Sequence, residues 1–202
     1  MTCGHSKTVE MYLKSAARKR RFMVIITESA PSYKGHDLAK SLSGPNIEAI
    51  VIPDAAVFAM MSRVNKVILG THTILNMAIY VFSIVMANGG LISDAGTQMI
   101  ATAAKYHSIP VVVCAGLYKL SPIFPFDQDR FNTLESPDGI FPYKDEIVDQ
   151  IDVLNPSCDY VGPELVDIIV DHLGGHLPSY VYRLLQENYN IQDIMLLKEQ
   201  LI

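Results

Sequence analysis

Apolar and polar positions along the chain change period several times, and each change predicts an element. Val9, Leu13, Ala16 and Ala17 recur at helical spacing behind Ser6, which reads as an N-cap. This first helix ends in the basic turn Arg18-Lys-Arg-Arg21, which suits the negative end of a helix dipole. Phe22-Met-Val-Ile-Ile26 is then a short unbroken apolar run rich in β-branched residues, the mark of a strand buried on both faces. The alternation repeats through a loop at Glu28–Gly35, a helix at His36–Leu42, a strand at Ile47–Ile52 stopped by Pro53, and a helix at Ala55–Met61. A strand at Val64–Leu69, a helix from about Ala95 to His107 and a strand at Ile109–Cys114 follow.

Strand and helix in turn, with no hairpin signals, predict an α/β fold: an open, mostly parallel, Rossmann-like sheet with helices on both faces. Such sheets bind ligands beyond the carboxyl ends of their strands. Chemistry is therefore expected at Glu28–Gly35, Asp54, Gly70–Thr73, Asn88–Thr97 and Ala115–Pro122. Residues 121–163 are Pro- and Asp-rich and read as a long surface excursion. Pro163 then opens a helix over Glu164–Leu173, Gly174-Gly175 breaks it, and Pro178 opens another through Tyr189. That last helix is dense in tyrosine, a residue type enriched at interfaces and also at home in a core.

Charge refines this picture. The net charge is −5, which argues against a general nucleic-acid binder. Residues 1–21 carry six bases against Glu10, whereas residues 127–171 carry twelve acids against Arg130 and Lys144. Such asymmetry suits charge-guided association, and equally a solvated acidic face. Cys3, Cys114 and Cys158 are odd in number and far apart, so neither a disulfide framework nor a zinc site is expected, and no cofactor is implied. No apolar stretch follows Met1, so a cytosolic setting is expected. One run is anomalous: Val67–Ser93 lacks every charged residue, and its centre, Met77–Met86, is densely apolar. Its flanking Gly, Asn, His and Thr leave it short of the roughly 20 apolar residues of a membrane span. A membrane-associated fragment is the weaker reading of it.

The loops carry a resemblance. Thr2-Cys-Gly-His-Ser-Lys-Thr-Val-Glu10, Ala17-Arg-Lys-Arg-Arg-Phe22, Glu28-Ser-Ala-Pro31, Lys34-Gly-His36 and Pro53-Asp-Ala-Ala-Val-Phe-Ala59 stand in family order. So do Ser62-Arg-Val-Asn-Lys-Val67, Ala87-Asn-Gly-Gly90, Ala95-Gly-Thr97, Lys119-Leu-Ser-Pro122, Asp159-Tyr-Val161, Pro163-Glu-Leu165 and Pro178-Ser-Tyr-Val-Tyr-Arg183. Together they resemble the C-terminal domain of the alpha, beta and delta subunit family of eukaryotic translation initiation factor 2B. The Asn-Lys-Val run and the Lys-Leu-Ser-Pro segment favour the beta type.

The resemblance implies a domain over residues 2–189, a tail over 190–202, and a Met1 almost at the join with a helical N-terminal domain that is absent here. In the family, Ile-Leu runs directly into Ala-Asn-Gly, so 76–86 is an expected apolar insertion. The implied function is that of a regulatory, non-catalytic subunit of the guanine-nucleotide exchange factor for initiation factor 2. Its expected partners are the alpha, gamma, delta and epsilon subunits and initiation factor 2, including the phosphorylated form, without direct nucleic-acid or membrane binding.

The same fold serves isomerases of methylthioribose 1-phosphate and ribose 1,5-bisphosphate, which makes an enzyme the rival reading. Their reactive cysteine position falls at about Gly4 and their aspartate at His72. A phosphate-gripping guanidinium falls at Ala30, and Asn-Gly-Asp becomes Asn88-Gly89-Gly90. One acid–base group contributes about 10²–10⁴-fold in rate, so such losses predict a vestigial pocket. Its expected lining is Gly4, Ala30, Lys34, Gly35, His72, Asn88, Gly89, Gly96 and Thr97, with free N–H groups at Gly96-Thr97 for an anion. Tyr180, Tyr182 and Arg183 are the expected subunit-interface residues, with no catalytic and no metal-binding residue.

Overall fold

In this computed structural model, residues 1–71, 85–122, 134–144 and 150–190 are described. The first helix, α1 (Lys7–Ala17), leads into β1 (Phe22–Thr27), α2 (Lys34–Leu42) and β2 (Ile47–Ile52). Next come α3 (Val57–Met61), β3 (Val67–Gly70), β4 (Leu91–Asp94), α4 (Thr97–Tyr106) and β5 (Val111–Cys114). The remaining elements are β6 (Cys158–Val161), β7 (Ile168–Val170), β8 (Gly175–His176) and α5 (Val181–Asn188).

β1 and β2 pair in parallel, as do β3 with β5 and β5 with β7. The two parts are joined by the first residues of the chain. Thr2 bridges Ile26 in parallel; its N–H donates to the Ile25 carbonyl at 2.9 Å and its carbonyl accepts from the Thr27 N–H at 3.1 Å. On the other side, the Ile68 N–H donates to the Met1 carbonyl at 2.9 Å. Residues 1–2 thus lie between β1 and β3, and one sheet runs from β2 to β8.

Alternate residues of its strands face opposite ways, because side chains alternate along a strand. Val24, Ile26, Val9, Leu13, Leu38 and Leu42 pack together under α1 and α2. Ile25, Val67, Leu69, Val111 and Val113 point the other way, against Met61 of α3, Ile100 of α4 and Leu184 of α5. The expected sheet with helices on both faces is therefore present.

Several elements differ from expectation. Glu164–Leu173 is not a helix: Pro163–Leu165 forms one 3-10 turn, and Ile168–Val170 is a strand. Its β-branched residues complete the ladder beside β5, and the Asp167 carboxylate accepts the Val111 N–H at 2.7 Å. A hairpin follows at Gly174-Gly175, read from the sequence only as a helix break, since β8 pairs antiparallel with β7. Its turn is held by the Asp171 carboxylate, which accepts the N–H groups of Leu173 and Gly174, with Gly174 at φ 144°. The excursion is also not wholly a surface loop. Cys158–Val161 pairs antiparallel with Leu91–Asp94 in a second, two-stranded sheet, where Met86, Ile92 and Cys158 form a small core. Ser6 sits at the N-cap of α1 with no side-chain cap bond, packed where a Cβ on Gly70 would stand.

His72 and most of the apolar run, residues 72–84, lie outside the described residues. Among the described residues, no helix is long and apolar enough to cross a membrane. Val85 and Met86, at the end of the expected insertion, are 0% and 1% exposed and belong to the core.

Candidate functional site

The carboxyl ends of the strands converge as the alternation requires. The loop after β1 turns sharply at Ser29, whose φ is +59°, a conformation L-residues rarely adopt. Asp54, just past β2, holds it there: its two oxygens accept the N–H groups of Ser29 at 3.1 Å and Ala30 at 2.8 Å. The Ser29 hydroxyl accepts the Gly4 N–H at 2.9 Å and lies 3.5 Å from the Cys3 thiol. Gly4 sits at φ +62°, where an L side chain is strained, and a Cβ there would also displace Oδ2 of Asp94, 2.7 Å away. Asp94 ends β4, and its Oδ1 lies 3.7 Å from Nζ of Lys34. The Lys119 ammonium donates to the Thr71 carbonyl. Burial pushes the Lys119 ammonium below its ordinary pKa, against the opposing pull of Asp94.

The cleft among these groups is bounded by Ser29–Ser32, Lys34, Asp94, Ala95, Glu135 and Asn155–Ser157. Among the described residues it holds a volume of about 30 Å³, room for a water or two. Its charged lining is Asp94 and Glu135 against Lys34.

Of the expected pocket residues, Gly4, Ala30 and Lys34 meet here. Gly35 serves packing instead: in α2 it lies against the Thr27 carbonyl, where a Cβ has no room. Asn88 and Gly89 are turned away. The Asn88 amide donates to the Tyr160 hydroxyl at 2.8 Å and accepts the Gly90 N–H, while Gly89 abuts the Pro178 backbone.

Gly96 corrects its part of the expectation of free N–H groups for an anion. One oxygen of Asp159, on β6, accepts the Gly96 N–H at 2.7 Å and the Gln98 N–H at 3.2 Å. The Thr97 hydroxyl donates to the Asp94 carbonyl at 2.7 Å. The N-terminus of α4 therefore already carries an anion, supplied by the chain itself. Asp159→Ala is expected to cost about 2 kcal/mol, and Asp159→Asn about half that, since charge-assisted bonds are worth roughly 1.5–3 kcal/mol. Urea unfolding of the two variants measures both losses; equal losses show that the charge adds nothing.

The thiols are not poised as nucleophiles. Burial pushes the Cys3 and Cys158 thiols up and takes Cys114 up to about 11. A thiolate is the reactive form, so all three are expected to react with an aromatic disulfide reagent at pH 8 at least tenfold faster in 8 M urea than in the native state. A rapid native phase lost in Cys3→Ser marks an activated Cys3 instead.

The expected interface residues lie apart, on and before α5. Tyr180 is half-buried, stacked on His176 at 5.4 Å and 10°, with the Arg183 guanidinium 5.7 Å above its ring. Arg183 donates from Nε to Glu187 at 2.9 Å. Tyr182 is 51% exposed. Tyr180 thus contributes to folding as well as to any surface, and Tyr182 is the cleaner probe.

Two relatives named translation initiation factor eIF2B subunit beta are similar over nearly the whole chain. The one from Dictyostelium discoideum is 53% identical over 196 residues, covering 96% of this chain and 48% of its own. That from Schizosaccharomyces pombe is 46% identical over 199 residues, covering 97% and 48%. A ribose 1,5-bisphosphate isomerase from Archaeoglobus fulgidus is 32% identical over 193 residues, covering 95% of this chain and 58% of its own. The crystal structure of eIF2B beta from Chaetomium thermophilum superposes with a TM-score of 0.68 at 29% identity, over 96% of this chain and 51% of that one. The tetrameric eIF2B-beta2-delta2 complex from C. thermophilum superposes with a TM-score of 0.67 at 28% identity, over 93% and 53%. The chain spans about half the length of these eIF2B relatives. The family model described as the initiation factor 2 subunit family matches residues 1–178, from the strand that joins the sheet to the turn before α5, and the chain belongs to that family.

Proposed function

We propose that this chain acts as a regulatory, non-catalytic domain in the guanine-nucleotide exchange factor for initiation factor 2. The observation that carries the reading is the 53% identity, over 196 residues, to an eIF2B subunit beta. The cleft agrees with it. Glycine occupies position 4, Cys3 is held as a neutral thiol, and the Ala30 N–H is committed to Asp54. Sugar isomerisation needs a group that moves a proton between adjacent carbons, and none of these residues offers one. In this reading the chain associates with the alpha, gamma, delta and epsilon subunits in the cytosol, and the assembly responds to phosphorylated initiation factor 2. The 32% identity to a ribose 1,5-bisphosphate isomerase keeps that activity as the competing reading.

Co-expression with a tagged delta subunit tests the proposal, alongside an isomerase assay on ribose 1,5-bisphosphate and methylthioribose 1-phosphate. Co-purification without turnover is expected. Tyr182→Ala with Arg183→Ala is expected to weaken it at least tenfold, since buried Tyr and Arg anchors are often worth about 2 kcal/mol or more. Turnover abolished by Cys3→Ser establishes the isomerase and overturns the regulatory reading.

A further inference from the structure

The amino ends of the strands differ in chemistry from the carboxyl ends. The helices that precede parallel strands deliver the chain to the amino ends of those strands, and three of the approaches there, those to β1, β3 and β5, carry bases. Arg18–Arg21 precedes β1, Arg63 and Lys66 precede β3, and Lys105 closes α4 ahead of β5. All seven bases are exposed, and none has an ion-pair partner among the described residues. Among the described residues the acids near these strand ends are Asp167, bound to the Val111 N–H, and Glu48 and Glu164, exposed at the margins. The carboxyl end, with Asp54, Asp94, Glu135 and Asp159, has the opposite sign, so the domain is electrically polar along its strands.

Beside the basic linkers stands an exposed aromatic cluster. Phe58 of α3 lies 5.2 Å from Tyr106 and 5.0 Å from His107, with Tyr106 and His107 5.3 Å apart between ring centroids. Phe58 is 53% exposed and Tyr106 75%. Nε2 of His107 is buried with no hydrogen-bond partner. Lys105 adjoins Tyr106 in sequence, and Arg63 follows the last turn of α3, so exposed cations stand close along the chain to both elements that carry the rings.

We propose that this face docks an acidic protein segment that carries an apolar anchor, its carboxylates against Arg63, Lys66 and Lys105 and its anchor over Phe58 and Tyr106. The dimensions favour a short segment. Strands stand about 4.8 Å apart, so β1, residues 1–2, β3 and β5 together span about 14 Å, which roughly five extended residues cross. Charge favours protein over nucleic acid: a long polyanion leaving this face meets a domain of net charge −5, whereas a short acidic segment ends within the patch. An apolar anchor also gives the exposed rings an occupant that phosphate does not supply.

The test uses the full chain and three fluorescent probes: a ten-residue peptide of alternating glutamate with phenylalanine or leucine, the same peptide with serine at the apolar positions, and a ten-nucleotide oligouridylate. The first is expected to bind in the micromolar range, and at least tenfold more tightly than the other two. Arg63→Glu with Lys66→Glu, and separately Phe58→Ser with Tyr106→Ser, are expected to weaken it at least tenfold while leaving the melting temperature within a few degrees. Tyr118→Ser, 78% exposed at the opposite end, is expected to change nothing. Equal binding of the serine peptide removes the anchor and with it the proposal. Tighter binding of oligouridylate makes the face a nucleic-acid site, and binding indifferent to both double variants places the contact elsewhere; either result overturns it.

Discussion

Thr2→Pro is expected to cost about 3 kcal/mol and to separate the β1–β2 half of the sheet from the rest. Thr2 is 1% exposed, and its N–H and carbonyl both pair with β1. Proline removes the donor to Ile25 and leaves that carbonyl buried and unpaired, a loss of about 1–3 kcal/mol before the clash of the ring is counted. The position is not merely intolerant of change. The Thr2 hydroxyl is buried without a partner, so Thr2→Val is expected to be neutral or to stabilise by up to about 1 kcal/mol. Thermal unfolding of the pair checks both signs. If proline is tolerated, residues 1–2 do not join the sheet in solution.

Removing residues 74–86 is expected to be more damaging still, while two shorter deletions inside the same span are expected to be mild. Val85 and Met86 are fully buried, and the Val85 N–H and carbonyl pair with Lys119 and Ser121. They immediately precede Ala87, where the family resemblance places an Ile-Leu pair. The eleven extra residues can therefore be counted as 74–84 as well as 76–86. Deleting 74–84 leaves Val85-Met86 before Ala87, and deleting 76–86 leaves Ile74-Leu75 there. These pairs are close in volume, so the two variants are expected to differ by less than about 1.5 kcal/mol and to gain soluble yield. Deleting 74–86 leaves neither pair and forfeits roughly 1.5–3 kcal/mol for each lost side chain. Melting temperatures of the three deletions decide it. A large loss in both short deletions makes the intervening residues core, contrary to their reading as an insertion.

The parts of the fold that were legible in the sequence are those whose signal is local. Val111-Val-Val-Cys114 and Phe22–Ile26 read as strands because a β-branched run buried on both faces has few other uses. Asp54 was placed by topology alone, since it follows a strand of a parallel sheet. Ile168–Val170 was misread because three apolar residues after Pro163-Glu-Leu fit a helix start as well as a strand, and β5, its partner in the ladder, lies more than fifty residues earlier. The β4–β6 pair was missed for the same reason: Leu91 meets Val161 across seventy residues of chain. At the candidate site, motif positions pointed to Gly4, Ala30 and Lys34, which the fold brings near Ser29, Asp54 and Asp94. Asp159 as the counter-charge of α4 was not legible, because its partners stand 61 and 63 residues away and nothing local marks it.

That carboxylate has a consequence for how the domain responds to its surroundings. A fold that needs a bound metabolite to neutralise a helix terminus gains stability by mass action, as RT ln(1 + [L]/Kd), and its abundance follows supply of that metabolite. Here the two N–H groups held by Asp159 are satisfied at fixed, intramolecular concentration. At that terminus Asp159, and not a dissolved anion, supplies the counter-charge to those two N–H groups, so their contribution to folding does not vary with the concentration of phosphorylated metabolites.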